Sequence, residues 1–162
     1  MSAQISEPRQ PAALPEELRA CTVFLLGRVG WAMKTAAIEE FERSGFSPYQ
    51  YSVLAVLSEG EKETQATIAD TLRLDRGQLV GILDELEEAG MIARRRDEHD
   101  RRRHVVSLTP TGKKRLVKMR ALVAQIEDSF LGALDRDERA ALHDVLLRVA
   151  AANDCRFQRV DP

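Results

Sequence analysis

The sequence predicts a mainly α-helical fold with one small β-hairpin, and three observations carry that expectation. Apolar residues recur at helical spacing in six separate stretches, five of which are preceded by a serine, threonine or aspartate suited to cap a helix; one stretch, from Met91 to Leu108, changes to a strand pattern. Apolar residues make up 44% and charged residues 31%, a globular balance, and the 5% aromatic share points to an aliphatic core. A chain of 162 residues suits one domain, expected over 16–162, behind a flexible arm over 1–15 that holds Pro8, Pro11 and Pro15. That arm lacks a basic start followed by an apolar run, so neither a signal peptide nor a membrane anchor is expected. Cys21 and Cys155 are far apart and outside any CxxC spacing, which points to a reducing cytoplasm.

The first helix is expected from Leu18 to Phe41. Leu18, Cys21, Leu25, Val29, Ala32 and Ala36 line one side, while Phe24, Trp31 and Ile38 lie on another. A terminal helix that is apolar on two faces cannot bury both against its own core, so one face is expected to pack on a second copy. Gly45 supplies the left-handed residue past its end. Ser47-Pro48-Tyr49-Gln50 opens the second helix with an N-cap, a proline at the first position and a glutamine to complete a capping box.

Thr64 caps a short third helix that turns Ile68, Ala69 and Leu72 inward. After a tight turn at Arg73 and Leu74, Asp75 caps a fourth helix that buries Leu79, Ile82, Leu83 and Leu86 and ends before Gly90. Two short helices so joined have helix-turn-helix spacing. The hairpin that follows has strands at 91–96 and 104–108 and a charged, glycine-free tip, for which a long loop is expected. Thr109-Pro110 restarts helix with Leu116, Met119, Val123, Ile126 and Phe130 on one side. Asp135, with Glu138, caps a last helix that carries Leu142, Val145, Leu146 and Val149.

Net charge is −2, yet from Gly90 to Arg120 eleven basic side chains face three acidic ones, so this segment carries +8. A local basic patch on an otherwise acidic chain suits selective binding of a polyanion, although such a run can also be only a solvated face.

These residues resemble the MarR family of bacterial regulators from about Leu18 to Ala152. The resemblance rests on Ser47-Pro48-Tyr49-Gln50-Tyr51 with Val53-Leu54, and on Ile68-Ala69 through Leu74-Asp75 followed by Leu86-Glu87-Glu88-Ala89-Gly90-Met91-Ile92. Its most specific segment is Arg94-x-x-Asp97-x-x-Asp100-Arg101-Arg102 followed by Leu108-Thr109-x-x-Gly112. It implies a winged helix-turn-helix core over about 47–108, set between interlocking dimerisation helices over about 16–43 and 110–153. It also implies a homodimer that offers one recognition helix and one wing per subunit to an inverted-repeat operator, under control of a small-molecule or redox signal. Glu98 stands where the wing motif commonly has proline, and Val80 and Gly81 stand where the family often has polar or basic groups.

On that frame the start of the fourth helix is expected to enter the major groove, with Arg76 and Gln78 contacting bases or phosphates and Gly77 and Gly81 allowing close backbone approach. Gln78 can instead serve only the capping box. Thr64, Gln65 and Thr67 are candidates to position phosphates, or simply to cap the third helix. At the wing tip Arg102, then Arg101, are the candidates for the minor groove, and the resemblance pairs Asp100 with the wing arginine as its support. Arg94, Arg95 and Arg96 alternate along a strand and cannot all face DNA. Phe24, Arg28, Trp31 and Tyr51 combine aromatic walls with a cation and are candidates for an aromatic effector, against the alternative that they are core.

Cys21 opens a redox alternative, although its neighbours are apolar or neutral apart from Arg19, which favours a buried structural cysteine. No catalytic motif or phosphate-binding loop is present, so an enzyme is not expected. No cofactor or metal is expected either, His99 and His104 beside Asp97 and Asp100 reading as a charged loop. The rival from another class is a helical dimer that binds a protein or ligand without reading DNA, an option that Val80 and Gly81 keep open.

Overall fold

A computed structural model describes residues 13–60, 63–96 and 104–158. Its elements are α1 (Glu16–Ala20), α2 (Thr22–Arg43), α3 (Pro48–Glu59), β1 (Glu63–Thr64), α4 (Gln65–Leu72), α5 (Arg76–Glu88), β2 (Ile92–Arg96), β3 (His104–Leu108), α6 (Pro110–Phe130) and α7 (Arg136–Asn153), followed by a 3-10 turn at Cys155–Phe157. The mainly α fold with a small sheet is the one expected. The chain divides within α2 into two compact units, Met1–Thr35 and Ala36–Pro162.

In the first unit the single helix expected from Leu18 onward is broken at Cys21, whose extended backbone (φ −86°, ψ 105°) ends α1 after five residues. One helical turn that starts at Pro15 without a side-chain cap has few hydrogen bonds to hold it in line with its neighbour. Cys21 is exposed, not buried as its apolar neighbours suggested. Leu25, Leu26, Val29 and Trp31 are 44–62% exposed, so an apolar face of α2 stays open to solvent.

The second unit holds a core drawn from α3 (Val53, Leu54, Leu57), α4 (Ile68, Ala69), α5 (Leu79, Ile82, Leu83, Leu86), the sheet (Ile92, Val106) and the first half of α6 (Leu116, Met119). Those of α4, α5 and α6 are among the inward positions that the helical periodicity indicates. Gly45 takes the left-handed conformation (φ 68°) after α2, as expected.

The helix starts follow the sequence with two corrections. Ser47 accepts a hydrogen bond from the Tyr49 amide at 3.2 Å, but Gln50 does not close a capping box. Its Nε2 instead donates to Glu85 Oε2 on α5 at 3.0 Å, a charged acceptor stronger than the neutral exchange of a box. Asp75 likewise accepts only from the Gln78 amide, at 2.9 Å. At Asp135 both halves of the box form with Glu138.

The expected hairpin is the larger part of a three-stranded antiparallel sheet of order β1-β3-β2. Glu63 and Thr64 pair with Val106 and Val105, an addition too short to leave a strand pattern in sequence. In the hairpin Ile92 faces Leu108, Arg94 faces Val106 and Arg96 faces His104.

Where the wing returns to helix, Thr109 Oγ1 donates to the carbonyls of Gly90 (2.7 Å) and Met91 (3.1 Å), and accepts from the Gly112 amide (3.0 Å). A Cβ on Gly112 would stand 2.0 Å from the Met91 carbonyl oxygen, so only glycine lets α6 begin this close to β2. This is the physical content of the Leu108-Thr109-x-x-Gly112 pattern.

Candidate nucleic-acid interface

The cap of α4 and the open end of α5 come together on one side of the second unit. They line an open cleft of about 680 Å³ whose wall includes Thr64, Gln65, Thr67 and Arg76, four of the residues singled out from sequence. Thr64 Oγ1 accepts from the Thr67 amide at 3.1 Å, and the two hydroxyls lie 2.6 Å apart. The capping role weighed for these threonines is therefore realised, and Thr67 remains exposed on the cleft.

Arg76, Gly77 and Gln78 form the exposed first turn of α5. Because Asp75 caps through the Gln78 backbone, the Gln78 side chain makes no hydrogen bond among the described residues and stays available to a ligand. A Cβ on Gly77 would come 3.2 Å from Asp75 Oδ1, crowding the cap, whereas one on Gly81 would meet nothing within 4 Å. Packing within the chain thus leaves Gly81 unexplained, and the missing side chain lowers the exposed face of α5 at that point.

Asp70, Thr71 and His104 are among the further residues that line the cleft without having been singled out for it. Thr71 follows Thr67 by four positions and shares its helix face, a signal legible in sequence. His104 reaches the cleft only through the sheet. Val80, 43% exposed, gives the same wall an apolar patch.

The basic segment is less free than its count suggests. Arg94 turns back on α5, donating through Nε to Glu87 Oε2 at 2.8 Å and pairing with Asp84 Oδ1 at 2.6 Å, while its amide donates to Glu87 Oε1 at 3.2 Å. The Arg94 side-chain hydrogen bond holds the Glu87 carboxyl below its ordinary value, and the same bond pushes the Arg94 guanidinium up. Arg94 therefore pins the wing strand to α5. Arg115 lies over the Phe46 ring at 4.0 Å from its centroid, and Arg120 donates to Ser58 Oγ at 2.9 Å. Arg95 and Arg96 remain exposed on β2. The wing-tip candidates Asp100, Arg101 and Arg102 lie outside the described residues.

Of the effector candidates, Arg28 sits over Trp31 in the first unit, 5.5 Å from the ring centroid, with Phe24 half-buried on the same helix. Tyr51 belongs to the second unit, where it packs on the core with its ring 5.9 Å from that of Phe41. No helix among the described residues is long and apolar enough to cross a membrane.

Residues 44–103 match the family model described as the MarR family. The chain is 29% identical over 133 residues to a protein of Thauera aromatica named as a transcriptional regulatory protein for the hcr operon, a match covering 77% of this chain and 80% of that one. It is similar in structure to the transcriptional repressor CouR bound to a 23-mer DNA duplex, with TM-score 0.74 and 33% identity over 86% of this chain and 99% of that one. It also resembles CouR from Rhodococcus jostii RHA1 bound to p-coumaroyl-CoA, with TM-score 0.67 and 29% identity over 84% and 96% of the two chains.

Proposed function

Because the chain belongs to the MarR family of transcriptional regulators, which are not enzymes, we propose that it is a repressor that binds an inverted-repeat operator in double-stranded DNA as a homodimer and is released by a small aromatic effector. The observation that carries the DNA-binding part is the cleft where Thr64, Gln65, Thr67 and Arg76 meet beside the free first turn of α5. Exposed backbone N–H groups of that turn suit phosphate, and Arg76 and Gln78 carry the donor and acceptor sets that suit guanine and adenine edges. Arg101 and Arg102, supported by Asp100, supply the minor-groove cations of the wing in this reading.

The dimer is supported by the apolar faces that α2 and α7 leave uncovered, including Leu25, Val29, Val145, Leu146 and Val149. An aromatic effector is supported by the likeness to CouR, whose solved complex holds p-coumaroyl-CoA, and by the Arg28–Trp31 pair, an aromatic wall with a fixed cation. Such a regulator works where its DNA is, in the cytoplasm.

The test is binding of the purified protein to the duplex upstream of its own gene, followed by fluorescence anisotropy over a salt series. Affinity falls steeply with salt as phosphate contacts release counterions. Arg76→Ala and Arg102→Ala each lose about 1–3 kcal/mol of operator binding. A folded Arg76→Ala variant with an unchanged isotherm rules out the groove assignment. For the effector, a panel of phenolic acids and their thioesters is expected to contain a member that raises the melting temperature and releases DNA. A second reading, redox control, is favoured by the exposure of Cys21. Loss of operator binding after mild peroxide that persists in Cys21→Ser would exclude it.

A further inference from the structure

The end of α7 is tied to the turn of the helix-turn-helix. Asp154 is at once the C-cap of α7, its amide donating to the Ala150 carbonyl at 2.8 Å, and the N-cap of the 3-10 turn, accepting from the Arg156 amide at 3.1 Å. The Arg156 side chain folds back on the same carboxylate, Nε donating to Oδ1 at 2.9 Å and Nη2 pairing with Oδ2. Its remaining nitrogen, Nη1, donates to the carbonyl of Thr71 at 2.9 Å, across 85 residues of sequence. Arg73 Nη2 approaches the same Asp154 Oδ2 at 3.7 Å.

Each contact answers a local need. Thr71 is in the last turn of α4, where carbonyls lack an intrahelical donor and the helix dipole favours a cation. Arg73 turns the chain from α4 toward α5 in the left-handed conformation (φ 50°), which is strained for any residue with a side chain and is held only where its surroundings fix it. Asp154 is only 15% exposed in this network. Its carboxyl is held well below the usual carboxylate range, chiefly by the Arg156 side-chain hydrogen bond, then by the Arg156 amide and the charges of Arg156 and Arg73.

We propose that Asp154 and Arg156 are positioning residues for DNA reading: they latch the end of α7 to the α4–α5 turn, and so set the placement of the cleft wall and of α5 relative to that helix. The assignment rests on the DNA-binding function proposed above. Thr71 is where the two meet, since its carbonyl receives the latch and the residue lines the cleft. Through α7, whose apolar residues Val145, Leu146 and Val149 are exposed, the latch connects the surface suited to a second copy with the turn that orients the recognition helix. A dimer whose two α5 helices must span a fixed operator spacing needs such a connection to be stiff.

The experiment compares the full-length protein with Arg156→Ala, Arg156→Lys and Asp154→Asn in two measurements. In hydrogen exchange without DNA, Arg156→Ala is expected to speed exchange of amides 70–78 about tenfold while α3 and α6 keep wild-type protection, as a local opening does. Arg156→Lys, which keeps the cation, is expected to restore part of the protection. Against operators whose half-sites are moved together or apart by single base pairs, the wild type is expected to prefer one spacing and Arg156→Ala to lose most of that preference. Wild-type exchange at 70–78 in both Arg156→Ala and Asp154→Asn overturns the latch, as does a spacing preference unchanged in both. Faster exchange throughout the core in both variants also overturns it, since the residues then support the fold as a whole. If the wild type binds no duplex, it is the proposed function that fails, and the exchange measurement alone decides the latch.

Discussion

Two helices of similar amphipathic pattern meet different fates in this chain. α5 spans 13 residues and buries Leu79, Ile82, Leu83 and Leu86, whereas α7 spans 18 and buries none, leaving Val145, Leu146, Leu147 and Val149 at 40–50% exposure. The difference lies in what surrounds them. α5 has α3, α4, the sheet and α6 around it, and its apolar stripe completes a core that closes within one chain. α7 has an apolar stripe with no counterpart among the described residues, a face that suits the proposed packing against another copy. The lobe around α5 thus closes its own core, and α7 does not.

The contrast can be broken at graded cost. Leu83→Ala removes a fully buried side chain from the closed core and is expected to destabilise the protein by about 2–5 kcal/mol in urea unfolding. Next comes Gly112→Ala, which forces α6 off the Met91 carbonyl and is expected to cost about 1–3 kcal/mol in the same measurement. Leu146→Asp strikes the open face instead. It is expected to yield monomers in sedimentation velocity with the lobe still folded by circular dichroism, changing monomer stability by no more than about 0.5 kcal/mol. A Leu146→Asp protein that stays dimeric would remove α7 from the interface.

The smallest effect concerns pH. The Asp154 carboxyl is depressed in the folded state, so its contribution is present above the unfolded value of about 3.9 and is lost only as pH falls through the folded one. Exchange at 70–78 is therefore expected to be unaltered by Asp154 titration between about pH 7 and pH 5, apart from the intrinsic rate.

Local chemistry accounts for what was legible beforehand. Ser47, Thr64, Asp75, Thr109 and Asp135 all cap the helices they precede, because a cap depends on three or four consecutive residues. The inward positions of α4 and α5 followed from periodicity for the same reason. What escaped depends on partners distant in sequence. Gln50 is drawn from its own helix end to Glu85, Arg94 is diverted from the wing to Asp84 and Glu87, and Arg156 reaches Thr71. Of the candidate interface, the cap and helix-start residues Thr64, Gln65, Thr67 and Arg76 were legible from spacing, whereas His104 joins them only through the pairing of β3. The exposure of α7 was not legible from its periodicity, only implied by the family resemblance, since a stripe of leucine and valine reads alike whether its partner is in the same chain or another.

The joint at Thr109 and Gly112 makes the wing and α6 a single lever. With the Thr109 hydroxyl on the Gly90 and Met91 carbonyls and Gly112 against the Met91 oxygen, β2 cannot swivel independently of the helix that follows. α6 has 21 residues and so extends about 30 Å, and a tilt of about 5° about its far end carries the joint about 3 Å sideways. A displacement of that size is comparable to the rise of about 3.4 Å between neighbouring base pairs, so in the proposed DNA complex a slight rocking of α6 would be enough to carry β2 out of register.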